Sequence, residues 1–366
     1  MRWMIPSGTM AALVLALTPA SAICAQEGVS GAQSAPASEP RAVAERVAAL
    51  LQEEYLDAET GKAYAARLRD QAAKGAYDGL TGAALAQKLT IDLLAVKDDA
   101  HLRVRLGAPA MRRMPGPASA GVEVKGPPTL EQQGWIAPGI AYVRLNEFPQ
   151  DPAATEAVRA SLHDHRSAKT LIVDLRTNHG GAPDLLDAMF PMLFSTPTRL
   201  FASQVRGGME AVALAGPNLR RVNGAPDNVR EYWVKPDASS PMQRARIFVL
   251  TSPATASAAE AFAAAIKWSG RGTLIGARTA GANHMGALEM LDGGLTLFAP
   301  VGRVFNPADG TDWEGVGIEP NVEAPAEQAL TVALIRAGLP EATAASLADQ
   351  YRPTLPMTRR PRPGQV

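Results

Sequence analysis

The 366-residue chain reads as an α/β protein with a small helical subdomain at its N-terminal end. Three observations predict this. Apolar residues recur at helical spacing through the first part that follows a polar leader. From about residue 135, buried-looking strand runs alternate with helical patterns, the texture of a mostly parallel sheet. At two places where a strand runs into a helix stand, respectively, a glycine pair and a small hydroxyl, Ser257.

The chain begins with one Arg, an apolar stretch and the small residues Ala20-Ser21-Ala22. That is the layout of a signal peptide, with cleavage expected after Ala22 or Ala25, and the apolar run falls short of the roughly 20 residues a membrane span needs. An exported protein, periplasmic or secreted, is therefore expected. The single cysteine, Cys24, lies at this boundary, and Ile23 before it is too large for a lipid-anchor signal. The mature chain is left without an intrachain disulfide or thiol chemistry. With 36 basic and 36 acidic residues there is no sequence-wide basic field, which argues against nucleic acid or an anionic membrane as the main partner.

Residues 23–40 are small, polar and Pro-punctuated, a flexible linker. Helical patterns follow: Val43 to Tyr55, Tyr64 to Ala72 before Gly75, and Leu85 to Val96 after Thr81. Strand-like alternation through Leu102, Val104 and Leu106 closes this subdomain, 41–106. Residues 107–134, rich in Gly, Pro and Met, form a connecting segment. The core, 135–335, opens on the strand I-A-Y-V-R-L at 140–145, a helix over 152–166, and the buried strand T-L-I-V-D-L-R bounded by T-N-H-G-G. A helix from Pro183 to about Phe194 is next. Residues 205–240 are Gly-rich and irregular, a candidate flap. R-I-F-V-L-T, an Ala-rich helix from Ser257, and T-L-I-G-A resume the alternation, and a hairpin is expected to turn at Asp292-Gly293-Gly294. Residues 336–366 are a C-terminal extension ending in a basic, Pro-rich, disordered tail.

A serine nucleophile needs a base, an orienting group and N–H donors for the oxyanion. Ser257 stands where a helix offers unpaired N–H groups, although a helix cap is the plainer use of such a residue. In D-L-R-T-N-H-G-G, glycines after a core strand let backbone approach a ligand, so Gly180 or Gly181 can offer an N–H to an oxyanion. Asp174 and Arg176 read as a structural pair holding that turn. Of the five histidines, His163 and His165 read as a solvated helix end, and His179 as the rim of the site. His101, after two carboxylates and before a strand, reads alone as an interdomain hydrogen-bonding residue.

Three stretches, D-L-R-T-N-H-G-G, T-S-P-A-T-A-S-A-A-E with G-A-R-T-A-G, and D-W-E-G-V-G-I-E-P, together resemble the tail-specific, or C-terminal processing, serine peptidases of family S41. The likeness is nearer to the branch with the tricorn core and the relatives of the interphotoreceptor retinoid-binding protein, and it extends over residues 41 to 330. It implies an α/β core of the crotonase and ClpP type. It puts the nucleophile on Ser257, one oxyanion donor on the N–H of Ala258 and the other on Gly180 or Gly181. Where one branch has a catalytic Lys this chain has Ala282, and Lys267 reads as surface. The tricorn pattern instead implies His101 as base and Glu314 as the carboxylate that orients it. A departure is Ala100, where the tricorn pattern has a Ser linking the two. His284, near the lost Lys position, is the possible alternative base.

The resemblance implies an exported serine peptidase acting on polypeptide through an acyl-enzyme, with no metal and no cofactor. Two alternatives stand beside it: a non-catalytic protein binding an apolar ligand of retinoid or fatty-acid type on the same fold, and a small-molecule esterase.

Overall fold

The computed structural model describes residues 39–107, 127–210, 214 and 216–359. The leader with Ala22, Cys24 and Ala25, most of the linker and of the connecting segment, and the last residues of the basic tail lie outside them.

Three helices come first: α1 (Pro40–Glu54), α2 (Ala58–Ala73) and α3 (Gly82–Leu94). Pro40 fits the first turn of α1, and the side chain of Asp57 caps α2 by accepting from the Thr60 N–H. Strands β1 (Arg103–Leu106), β2 (Leu130–Ala137) and β3 (Ile140–Leu145) follow, then α4 (Pro152–Asp164), β4 (Thr170–Asp174) and α5 (Asp184–Leu193). Next come β5 (Thr198–Val205), β6 (Leu219–Arg221), β7 (Val229–Val234), β8 (Arg246–Thr251), α6 (Ala258–Trp268) and β9 (Gly272–Gly276). The hairpin β10 (Met285–Leu291) and β11 (Leu295–Phe305), the short β12 (Val322–Glu323), and helices α7 (Ala329–Arg336) and α8 (Glu341–Gln350) complete the order.

The central sheet runs β12-β9-β8-β4-β3-β2, parallel throughout except for the antiparallel edge β2. Its residues alternate between two cores, as strand periodicity demands. Ala141, Val143, Leu145, Leu171, Val173, Ile247 and Val249 pack with residues of α4, α5 and α6. Tyr142, Ile172, Phe248 and Leu250 pack on the other face with α7 and Ala344 of α8. Burial on both faces is why these strands read as continuous apolar runs.

A second, antiparallel sheet runs β1-β11-β5-β7-β6, with β10 also on β11. The helices α1 to α3 share a core with it, through Leu291, Leu295, Leu297 and Ala299 of the hairpin. The hairpin turns at Asp292–Gly294, as expected, with Gly293 at φ 71°. Residues 205–240 are a correction: the irregular flap contains β6 and β7, and β7 pairs with β5 over Thr198–Gln204. Arg230 and Glu231 interrupt the apolar signal of V-R-E-Y-W-V, and the Gly-rich flanks conceal the strand.

Candidate active site

Ser257 occupies the turn between β8 and α6, half-buried, with φ 54° and ψ −121°. Among the described residues it is the non-glycine with positive φ, outside the region an L-residue adopts without cost. Neighbours hold it there. Ser252 Oγ donates to the Arg176 carbonyl, Thr255 Oγ1 donates to the Leu175 carbonyl at 2.8 Å, and the Ala256 N–H donates to the Asn178 carbonyl at 3.0 Å. The Ser257 turn is thereby stitched onto the D-L-R-T-N-H-G-G turn.

That second turn has its own anchor. Asp174, fully buried, accepts from Arg176 at 2.9 and 2.7 Å, from Tyr142 OH at 2.6 Å and from Arg144 Nε at 3.3 Å. Burial pushes its carboxyl up, but the Arg176 charge and these bonds outweigh burial and hold it at about 2. Asp174 and Arg176 are thus the structural pair the sequence suggests. Gly180 has φ 86°, and a Cβ there would lie 2.6 Å from Ser257 Cβ and 2.8 Å from the Ala258 nitrogen. Gly181, at φ 141°, has no room either, because a Cβ would meet the Phe148 carbonyl oxygen at 2.0 Å. These glycines press backbone against the serine. The Gly180 N–H is already donated to Asn178 Oδ1 at 2.8 Å. His179 sits half-buried beside them, its Nδ1 3.1 Å from the Ala254 carbonyl.

Glu260, in the first turn of α6, is buried and accepts four bonds. One oxygen takes the Thr279 hydroxyl and the Gly281 N–H at 2.8 Å. The other takes the Ser257 N–H at 3.0 Å and the Ala282 N–H at 2.8 Å. Burial raises its carboxyl to about 7 against these bonds. Ala282, the position of the lost Lys, contributes its N–H to this group. Lys267, half-buried near the end of α6, donates to the Glu319 carbonyl at 2.6 Å.

A second cluster lies at the next residues of the same strip. His284 Nδ1 is 2.8 Å from Asp99 Oδ2 and 3.9 Å from Glu314 Oε2. Asp99 also accepts from Tyr55 OH at 2.8 Å and from the His101 and Leu102 N–H groups at 2.8 and 3.1 Å. Burial alone raises Asp99, but the hydrogen bond to and charge of His284 and the other donors bring it down to about 2. Burial alone lowers His284, yet the bond to Asp99 and the charges of Asp99 and Glu314 leave it above its ordinary value. Glu314 is raised, chiefly by burial and by the charge of Asp99. Its carboxylate accepts the Ala100, Asn283 and His284 N–H groups at 3.1, 2.6 and 3.2 Å.

His101 and Glu314 are therefore both close to Asp99, but Glu314 meets the backbone of Ala100 rather than the His101 ring. That ring stacks on Phe298, centroids 5.4 Å apart and planes at 26°. Its Nδ1 is buried with no hydrogen-bond partner among the described residues, and burial lowers it to about 4. A cleft of about 600 Å³ is lined by His284 and Glu314, with Tyr55, Asp57, Lys97, Arg206, Arg303 and Asp312 among its other walls. Ser257 and His101 are not in that lining. Asp99, His284 and Glu314 present ligand atoms within 4.8 Å of one another. Two of these atoms, His284 Nδ1 and Asp99 Oδ2, are engaged with each other at 2.8 Å.

Sequence reasoning missed Asp99, Tyr55 and Glu260. The signals were present: the paired carboxylates of D-D-A-H, and Glu three residues after Ser in S-A-A-E, the spacing of a capping box.

A strained serine at a strand-to-helix turn on an α/β scaffold is the placement of a nucleophile elbow. Comparison with known proteins narrows it. Residues 139–324 match peptidase family S41, and residues 36–133 match the N-terminal domain of peptidase S41 in eukaryotic IRBP. The chain belongs to peptidase family S41. It is 28% identical over 184 residues to a chloroplastic C-terminal processing peptidase of Tetradesmus obliquus, covering 50% of this chain and 35% of that protein. A lipoprotein from Streptococcus agalactiae has a similar fold, with TM-score 0.54 and 14% identity over 84% of this chain and 98% of that one. The tricorn protease likewise has TM-score 0.53 and 14% identity over 85% of this chain and 37% of that one. Both structures share the fold, a mixed α/β core preceded here by α1 to α3. The chain spans about a third of the length of the algal relative.

Proposed function

We propose that this protein is an exported serine peptidase that cleaves polypeptide through an acyl-enzyme, with Ser257 as nucleophile, His284 as base and Asp99 as the group that orients His284. The observation that carries the assignment is the 2.8 Å contact of His284 Nδ1 with Asp99 Oδ2, at a cleft wall. An imidazole whose Nδ1 proton is given to a carboxylate keeps Nε2 as the acceptor, the tautomer a general base requires. Its raised pKa also makes it a stronger base than His101, which burial holds near 4.

In this reading Ser257 Oγ attacks the scissile carbonyl carbon as its proton passes to His284 Nε2. The oxyanion accepts from the N–H groups of Ala258 and Gly181, since that of Gly180 serves Asn178. His284 then returns the proton to the leaving amine, and water repeats the sequence to release the acid. Glu314 holds the backbone that carries His284 and adds negative potential beside it. Glu314 is bonded to the Ala100 N–H, and the His101 ring is stacked on Phe298.

The signal-peptide layout of the first residues supports export, and among the described residues no helix is long and apolar enough to cross a membrane. The charged lining of the cleft, with Asp57, Lys97, Arg206 and Asp312, suits a polar polypeptide better than an apolar ligand, which would desolvate those charges without pairing them. Hydrolysis of an unstructured polypeptide by the wild type, and its loss in Ser257→Ala, tests the reading. Equal hydrolysis by both would end it.

A further inference from the structure

Resting on the proposed roles of Ser257 and His284, we propose that Glu260 is a positioning residue that fixes the nucleophile relative to the strip carrying the base. Four successive amides of that strip are each gripped by a carboxylate: Gly281 and Ala282 by Glu260, Asn283 and His284 by Glu314. Glu260 alone also reaches the nucleophile. One of its oxygens accepts from both the Ser257 N–H and the Ala282 N–H, so a single atom bridges the two parts of the site.

The bridge acts on a defined angle. Rotation about N–Cα of Ser257 is φ, and the direction of its N–H is what Glu260 fixes. On the other side the Ser257 carbonyl accepts from the Ala261 N–H at 2.9 Å, which commits it to α6. With both ends tied, the residue stays at φ 54°, where an unrestrained serine would not remain. Released from Glu260, the backbone can turn towards negative φ and carry Oγ away from its place. A simple helix cap would not need Thr279, Gly281 and Ala282 as well. All four partners donate, two to each oxygen, and the amide of Gln would set its NH2 against one of those pairs of donors.

The test uses purified full-length protein, a fluorophosphonate active-serine probe and an unstructured polypeptide substrate, well below the melting temperature of each variant. Glu260→Gln is expected to lower the labelling rate and kcat by about 10- to 100-fold with KM unchanged within about twofold. Thr279→Val, which removes one of the four contacts, is expected to lower both by about 2- to 5-fold with KM again unchanged. A merely structural Glu260 would lower the melting temperature and leave kcat per folded molecule as it was, and that result overturns the proposal. Should Glu260→Gln not fold, a wild-type rate in Thr279→Val overturns it equally. Absence of labelling in the wild type, or labelling of Ser257→Ala, removes the underlying reading and this inference with it. Labelling of Ser257 at equal rates in wild type and Glu260→Gln removes this inference alone.

Discussion

Asp99 and His284, 185 residues apart in sequence, meet at 2.8 Å beside a cleft that Glu314 and Tyr55 also line. The N-terminal helical part thus supplies the carboxylate and its tyrosine partner, and the loop before the β10–β11 hairpin supplies the imidazole. Asp99→Asn is expected to slow active-serine labelling by on the order of 10²–10⁴, because the amide no longer selects the tautomer. Tyr55→Phe removes one hydrogen bond from Asp99 and is expected to cost less than about 10-fold.

The same pair sets a pH dependence. The groups facing His284 are Asp99, Glu314, Asp312 and His101, and the carboxylates leave its pKa above the ordinary 6.5. In the proposed role His284 must be neutral to act, so the acid limb of kcat/KM is expected above pH 6.5, and Asp99→Asn is expected to move it down. For stability, the raised His284 contributes below 6.5 and its contribution is lost as pH rises through the folded value. Asp99, lowered from 3.8 to about 2, contributes above 3.8 and loses this as pH falls towards 2. An acid limb at or below 6.5 in the wild type contradicts the assignment.

Ser257 is held in a costly conformation, and glycine relieves that cost. Strain of about 1–3 kcal/mol set against the extra chain entropy of Gly leaves a net gain of about 1 kcal/mol. Ser257→Gly is therefore expected to melt higher than Ser257→Ala, with both inactive. A lower melting temperature for the glycine variant would show the turn to be unstrained.

Gly180→Ala tests the close approach of that turn to Ser257. Its Cβ would sit 2.6 Å from Ser257 Cβ, at a φ of 86° that alanine resists. A loss of about 2–4 kcal/mol and of all labelling is expected, read by thermal melting and by the probe. Retention of labelling would mean that the two turns are not packed in this way.

Asp174→Ala leaves Arg176, Arg144 and Tyr142 without their buried acceptor. Destabilisation of about 3–5 kcal/mol is expected in a denaturant titration.

Much of this was legible in the sequence for physical reasons. Strands buried on both faces, such as 140–145 and 170–174, read as apolar runs, and the glycine-rich turn of the hairpin at 292–294 showed in composition. The second sheet was less visible, since β6 is three residues long and β7 carries Arg230 and Glu231 within it. The turns at Ser257 and Gly180-Gly181 stood out because each joins a buried strand to a helix, and the structure holds both in strained or glycine-only backbone conformations. The histidine was harder to choose. Both His101 and His284 lie near carboxylates, and only the fold reveals that His101 stacks on Phe298 while His284 takes Asp99.

The most direct measurement is the rate of labelling by one fluorophosphonate probe in the wild type, Ser257→Ala, His284→Ala and His101→Ala, each checked for folding. Labelling absent in Ser257→Ala, at least about 100-fold slower in His284→Ala and within about 10-fold of wild type in His101→Ala is the expected result. A fully reactive His284→Ala beside a dead His101→Ala would contradict it and return the base to residue 101.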